Sequence, residues 1–123
     1  MANILVVDDV KIMRLTIKRH LEDMGHTVVA EAGNGHEAIS QYEIFQPDLV
    51  TMDITMPEIN GIGNGIDALE KIKEFDSDAK IIMLTSHGEQ KLVIEAISKG
   101  SKGYVLKPVT KDKLSDVLGK IDL

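Results

Sequence analysis

Five short runs of apolar residues recur along the chain, and none of them alternates with polar positions. They cover residues 4–7, 28–30, 49–52, 81–84 and 104–106. Each run has at most four residues, most of them β-branched or bulky, which is typical of strands that are covered on both faces of a parallel sheet.

Segments with helical spacing follow these runs. The apolar stripes consist of Val10, Met13, Ile17, Leu21 and Met24; Ala38, Tyr42 and Phe45; Leu69, Ile72 and Phe75; Val93, Ala96 and Ile97; and Leu114, Val117, Leu118 and Ile121. Asn34 with Glu37, and Asp67 with Glu70, have the spacing of capping boxes before the second and third helices. Five repeats of strand then helix, joined by right-handed crossovers, predict an α/β fold: a doubly wound five-stranded parallel sheet with five helices on both faces, in three layers.

The length, charge and cysteine content of the chain exclude several classes of function for this fold. The 123 residues contain no linker or low-complexity tract, so we expect one domain over residues 1–123. A net charge of −6 argues against a nucleic-acid or anionic-membrane binder, and the lack of cysteine excludes disulfide and thiolate chemistry. The opening MANILVV is no signal segment, so we expect a cytoplasmic protein without a membrane span.

Polar side chains stand where four of the predicted strands end. The first strand runs into Asp8 and Asp9, the third into Asp53, the fourth into Thr85 and the fifth into Lys107. In the flavodoxin-like strand order 2-1-3-4-5 these four strands are adjacent, about 4.8 Å apart, and ligands bind at their carboxyl ends. The sequence therefore predicts three carboxylates, a hydroxyl and an ammonium at one edge of the sheet.

Each of these residues has a simpler explanation when taken alone. Asp8, Asp9 and Thr85 are suitable helix caps, Asp53 suits a turn, and Lys107 suits the surface. Together, however, the carboxylates repel one another by about 4 kcal/mol per pair at 4 Å and an effective dielectric near 20. Because the total stability of a domain is only about 5–15 kcal/mol, a positive ion is expected among them.

Oxygen ligands from a few carboxylates favour Mg²⁺ over a transition metal, and the four histidines have no ligand spacing. We expect Asp9 and Asp53 to ligate the ion and Asp8 to act through a coordinated water. A magnesium ion in a half-open site usually clamps a phosphoryl group, for which Lys107 and Thr85 are suitable partners.

Four motifs in order give a specific resemblance. They are "ILVVDD", "LVTMDITMPEING", "MLTS" and "GYVLKP". Across nearly the whole chain the sequence resembles response-regulator receiver domains, above all stand-alone receivers of the CheY type.

The resemblance implies a reaction. Asp53 would take a phosphoryl group from a phosphohistidine of a sensor histidine kinase or from a small phosphodonor, and water would later remove it, so that the chain would act mainly as a signalling switch. The Thr55 backbone carbonyl would join Asp9 and Asp53 around Mg²⁺, with Mn²⁺ as a substitute. Lys107 would neutralise phosphoryl charge and Thr85 would donate a hydrogen bond to it. The family also implies a cis bond before Pro108.

The resemblance further implies a switch and partners. Tyr104 would be the switch aromatic, although it also suits a packing residue, and the side chains of Thr55 and His87 would tune the phosphoryl lifetime. The output surface would be the fourth helix, fifth strand and fifth helix of a monomer, with the flagellar motor switch as a candidate target and a phosphatase as a further partner. Residues 99–123 hold six Lys and three Asp, which suits an acidic partner or a solvated face.

One segment departs from the family pattern. "INGIGNGID" resembles a four-residue tandem duplication before the third helix. We expect residues 62–66 to be a tolerated surface insertion, with a flexible flap near Asp53 as the functional alternative.

Three other functions use some of the same residue types. A phosphorelay shuttle that passes the phosphoryl group to another histidine is not separated from a chemotaxis signal by the sequence. A Mg²⁺-dependent phosphatase of the haloacid dehalogenase type needs a second Asp where Thr55 stands. A flavin carrier needs hydroxyls and amides where Asp8 and Asp9 stand.

Overall fold

The computed structural model describes all of residues 1–123 and contains one five-stranded parallel sheet. The strands are β1 (Asn3–Val7), β2 (Thr27–Ala32), β3 (Leu49–Asp53), β4 (Ile81–Thr85) and β5 (Gly103–Leu106). The helices are α1 (Lys11–Asp23), α2 (Gly35–Phe45), α3 (Gly65–Phe75), α4 (Gln90–Ser98) and α5 (Lys111–Leu118). The strand order is β2-β1-β3-β4-β5, so the predicted doubly wound α/β fold is confirmed.

The sheet is covered on both faces. Alternate residues of β1 point to opposite sides: Leu5 and Val7 face α2, α3 and α4, whereas Ile4 and Val6 face α1 and α5. Strands β3 and β4 are fully buried, and each large apolar side chain buried this way contributes about 1.5–3 kcal/mol. None of the five helices is both long enough and apolar enough to cross a bilayer.

Helix α2 starts with the predicted cap. The Asn34 side chain accepts a hydrogen bond from the Glu37 amide at 2.8 Å. The Glu37 carboxylate in turn accepts from the Gly33 amide at 2.8 Å, one residue earlier than in a standard capping box.

Helix α3 starts earlier than predicted, so the proposed cap of Asp67 with Glu70 is wrong. Asn64 Oδ1 accepts hydrogen bonds from the amides of Ile66 at 2.9 Å and Asp67 at 3.2 Å. The Asp67 carboxylate accepts from the Gly63 amide at 2.8 Å. The second Asn-Gly pair of the duplication therefore supplies the cap, because a short Asn side chain satisfies two free amides of the first turn.

The first Asn-Gly pair makes a different structure. Ile59 and Ile62 exchange backbone hydrogen bonds of 3.0 Å in both directions. The residues between them, Asn60 and Gly61, have φ values of 53° and 81°. Positive φ at both central positions is typical of the two-residue type I′ hairpin, for which Asn-Gly is the preferred sequence.

The prediction of a surface insertion is wrong for most of residues 62–66. Ile62 packs against the core, and its Cγ2 lies 2.5 Å from where a Cβ on Gly35 would stand. Gly65 and Ile66 are buried. The hairpin turn is exposed, but the segment after it runs inward because Ile62 packs beside Gly35 of α2 and Ile66, in the first turn of α3, is buried.

Some predicted stripe residues lie outside the core. Phe45, Phe75 and Ile97 are about half exposed. Phe45 and Phe75 are the last residues of α2 and α3. Val10, also half exposed, is the cap residue before α1 and not part of its buried face.

Gly65 sets the distance between α3 and the end of β3. A Cβ at this position would stand 2.1 Å from the backbone oxygen of Asp53, closer than any side chain tolerates. We expect Gly65→Ala to lower the free energy of unfolding by about 1–3 kcal/mol, measured by urea denaturation.

Gly33→Ala is the matched control. An added Cβ there meets its nearest neighbours at an ordinary 3.4 Å, so a change within about 0.5 kcal/mol is expected. Equal effects of the two substitutions would contradict the close approach at Gly65.

Candidate functional site

An ammonium group lies between two buried carboxylates at the carboxyl edge of the sheet. Lys107, directly after β5, places Nζ 3.3 Å from Asp8 Oδ2 and 3.3 Å from Asp53 Oδ1. Asp8 follows β1 and is fully buried, and Asp53 ends β3 with 4% of its surface exposed. Three strand ends therefore contribute to one charged cluster, as the strand order predicts.

The β1–α1 loop holds Asp8 in place. Asp8 Oδ1 accepts a hydrogen bond from the Val10 amide at 2.9 Å. The Arg14 guanidinium donates to the Asp8 backbone oxygen at 2.6 Å and contacts Glu31 at 3.2 Å. Glu31, on the outer strand β2, thus belongs to the support of the loop and not to the acidic cluster.

Asp9 completes a group of three carboxylates. One oxygen each from Asp8, Asp9 and Asp53 lies within 4.8 Å of the others, and Asp9 is exposed. Carboxylate oxygens at this spacing, one of them open to solvent, suit a hard cation that keeps part of its water shell. The donor set therefore fits a cation site at this edge.

Burial and neighbouring charges shift the pKa values of Asp53 and Lys107. Burial, followed by the nearby charge of Asp8, raises the pKa of Asp53 to about 7, although Lys107 opposes the shift. Burial alone would lower the pKa of Lys107, but Asp53 and Asp8 outweigh it and raise that pKa. The ammonium therefore stays charged at neutral pH, and the carboxylate of Asp53 does not ionise freely.

Thr85 borders the cluster at the end of β4. Its backbone oxygen accepts a hydrogen bond from the Lys107 amide at 2.7 Å, which fixes the two strand ends relative to each other. Thr85 is buried, with 3% of its surface exposed, and its hydroxyl donates a hydrogen bond to Glu89 Oε1 at 3.0 Å. The Lys107–Pro108 peptide bond is cis.

Glu89 is a site residue that the sequence analysis missed. Its carboxylate accepts hydrogen bonds from the Thr85 and Thr55 hydroxyls and from the Ser86 amide, the last at 2.5 Å. Partial burial alone would raise the pKa of Glu89, but these hydrogen bonds and Lys107 hold that pKa below its usual range. The spacing Ser86-x-x-Glu89 is that of a capping box and was the available signal.

The predicted switch and tuning residues lie beside the cluster and not in it. Tyr104 is 49% exposed, and with His87 it lines a groove of about 370 Å³ between α4 and β5 that also includes Thr85, Ile94 and Ile97. Thr55, two residues after Asp53, is exposed and points its hydroxyl at Glu89. The groove connects the end of β4 to the surface of α4.

This combination of fold and site defines a class of protein. A doubly wound sheet with three acids, a lysine and a threonine hydroxyl at one edge is typical of receiver domains in two-component signalling. The family model of the response regulator receiver domain matches residues 4–119, and the chain belongs to that family.

The curated relatives narrow the type. The chain is 47% identical over 117 residues to the chemotaxis protein CheY of Bacillus subtilis, covering 95% of this chain and 94% of the relative. It is 43% identical to CheY of Thermotoga maritima, covering 96% and 95%. The protein is thus a phosphoryl-accepting response regulator of the CheY type.

Solved structures agree with this assignment. CheY of Borrelia burgdorferi, crystallised with CheX, BeF₃ and Mg²⁺, has a TM-score of 0.87 at 32% identity, covering 94% of this chain and 85% of that one. A receiver domain protein from Clostridium thermocellum has a TM-score of 0.87 at 32% identity, covering 97% and 92%.

The raised pKa of Asp53 predicts how stability depends on pH in the presence of a chelator. The pKa of an unfolded Asp is near 4, whereas burial and Asp8 raise the pKa of native Asp53 to about 7. Between these values the native state binds more protons than the unfolded state, so stability falls as the pH rises. We expect Asp53→Asn to stabilise the protein by about 2–3 kcal/mol more at pH 8 than at pH 5.

Urea denaturation at the two pH values measures this difference. Asp116→Asn, at an exposed position of α5, is the control and should show no such trend. A benefit of Asp53→Asn that is independent of pH would contradict the raised pKa.

Proposed function

We propose that this chain receives a phosphoryl group on Asp53 from a sensor histidine kinase, passes the signal to a partner by changing its α4–β5–α5 surface, and then loses the phosphoryl group to water. The observation that carries the proposal is the buried carboxylate of Asp53, 3.3 Å from the Lys107 ammonium and within reach of two further acids. Residues 1–123 would act as one receiver domain and as a monomer.

The acidic cluster would hold Mg²⁺, with Mn²⁺ as a substitute. Asp9, Asp53 and the Thr55 backbone carbonyl would be ligands, and Asp8 would act through a water. When bound, the ion supplies positive charge that neutralises the acids and the oxygens of a phosphoryl group. The three carboxylate oxygens within 4.8 Å of one another support this assignment.

The protein groups around Asp53 would divide the remaining work. The Asp53 oxygen forms the new bond to phosphorus while the imidazole of the donor histidine leaves. Lys107 is positioned to neutralise charge on the phosphoryl oxygens, and Thr85 would donate its hydroxyl to one of them. The side chains of Thr55 and His87 would tune access of water to the acyl phosphate.

The groove beside Tyr104 supports the proposed output surface. Movement of Thr85 toward Asp53 would open space for the half-exposed ring of Tyr104, because both residues line this groove. The similarity to CheY proteins favours chemotaxis output, with the flagellar motor switch as target, and the Borrelia complex with CheX suggests a phosphatase-type partner. Of the six lysines in residues 99–123, Lys99 pairs with Glu70 and Glu95 and Lys107 pairs with Asp8 and Asp53, so four would be left to attract an acidic partner.

Acetyl phosphate tests the acceptor directly. With Mg²⁺ present, we expect the wild type to gain the mass of one phosphoryl group, read by intact-protein mass spectrometry. Asp53→Asn should reduce this labelling at least about tenfold because the attacking carboxylate oxygen is gone.

Asp116→Asn serves as the matched control and should label like the wild type. Chelation of Mg²⁺ should suppress labelling of both proteins. Full labelling of Asp53→Asn would contradict the assignment of Asp53 as acceptor.

His87 is expected to affect the lifetime of the phosphoryl group. It is exposed beside Thr85, so His87→Ala should widen the approach of water and speed loss of the phosphoryl group by about twofold or more. The decay is followed by mass spectrometry after removal of the phosphodonor. Gln90→Ala, on the same groove, is the control, and equal decay rates for His87→Ala and wild type would refute the tuning role.

A further inference from the structure

The carboxylate of Glu89 accepts hydrogen bonds from two donors at the end of β4. Glu89 Oε1 accepts hydrogen bonds from the Thr85 hydroxyl at 3.0 Å and the Ser86 amide at 2.5 Å. Two donors that converge on one anionic oxygen form the arrangement in which a phosphoryl oxygen would also be held. Glu89 thus already engages the two donors that a phosphoryl oxygen would use.

Glu89 does more than begin a helix. Its second oxygen, Oε2, accepts a hydrogen bond from the Thr55 hydroxyl, which lies on the β3–α3 loop, 34 residues away in the chain. The carboxylate therefore ties the loop that follows Asp53 to the loop that follows Thr85. The start of α4 does not require a hydrogen bond to the β3–α3 loop, so this contact indicates a second role for Glu89.

A hydroxyl has one proton and donates one strong hydrogen bond at a time. The Thr85 hydroxyl cannot therefore serve Glu89 and a phosphoryl group on Asp53 together. Release from a charged acceptor is unfavourable, and the negative charge of Glu89 also opposes a second anion nearby.

We propose that Glu89 is a positioning residue that competes with the phosphoryl group for the Thr85 hydroxyl and the Ser86 amide, and so holds the unphosphorylated protein in its resting arrangement. This inference rests on the proposed function of Asp53. It adds to that function an anionic side chain of the protein itself, Glu89, that opposes activation. Neither phosphorylation of Asp53 nor cation binding requires such a group.

Beryllofluoride with Mg²⁺ is a suitable probe, because it mimics a phosphoryl group and its binding is an equilibrium. We expect Glu89→Ala to bind beryllofluoride about three- to tenfold more tightly than the wild type, with Glu89→Gln in between, since an amide oxygen is a weaker acceptor than a carboxylate. Calorimetric titration at constant Mg²⁺ measures the affinity. Glu95→Gln, which removes a charge from an exposed position on the same helix, should leave it unchanged.

The Ser86 amide gives a second readout that needs no phosphoryl analogue. Its proton resonance should lie downfield in the wild type and in Glu95→Gln, and should move upfield in Glu89→Ala. If beryllofluoride fails to bind the wild type but the Ser86 shift is present, the proposed function fails and the contact stands. An affinity of Glu89→Ala and Glu89→Gln that equals or falls below that of the wild type would overturn the competition, as would an unshifted Ser86 resonance.

Discussion

The ammonium group of Lys107 between Asp8 and Asp53 is the interaction on which the carboxyl edge of the sheet depends. Both carboxylates are buried, and without a cation their mutual repulsion and desolvation would work against the fold. One ammonium does not neutralise them together with Asp9. The remaining negative charge favours binding of a hard cation at this edge. The Lys107 ammonium reduces the repulsion between the carboxylates and so limits its cost to the stability of the fold. Stability and chemistry are therefore linked at one point.

The backbone around this point is fixed from several directions. Arg14 bonds to the Asp8 backbone oxygen, the Lys107 amide bonds to the Thr85 oxygen, and Gly65 packs against the Asp53 oxygen. These contacts come from helix, strand and loop, so no single element carries the geometry. Thr85, buried at the end of β4, and Glu89, in the loop that follows, are the side chains that would exchange partners in the proposed switch. A fixed centre with a changeable rim is consistent with a domain that binds a group and reports its presence.

Much of the fold and site was predictable because both follow from short-range patterns. Continuous apolar runs predicted buried parallel strands, and the residues after them predicted the cluster of Asp8, Asp53 and Lys107. The failures have physical causes. The start of α3 differs from the prediction because Asn64 satisfies the amides of the first turn three residues before Asp67, whose spacing to Glu70 indicated the cap. Phe45 and Phe75 keep helical spacing beyond the area that the sheet covers. Glu89 was missed because its hydrogen bond to Thr55 joins loops that only the folded chain brings together.

The repeated Asn-Gly pair has a consequence for how this chain can vary. The second copy keeps the tasks that tolerate no change, since it caps α3 and lets Gly65 approach the Asp53 oxygen. The first copy forms a self-contained hairpin whose ends are bonded to each other. Ile62 is held against the core beside Gly35, so variation in this hairpin is confined to the exposed residues 59–61, which can acquire new contacts without displacing the acceptor.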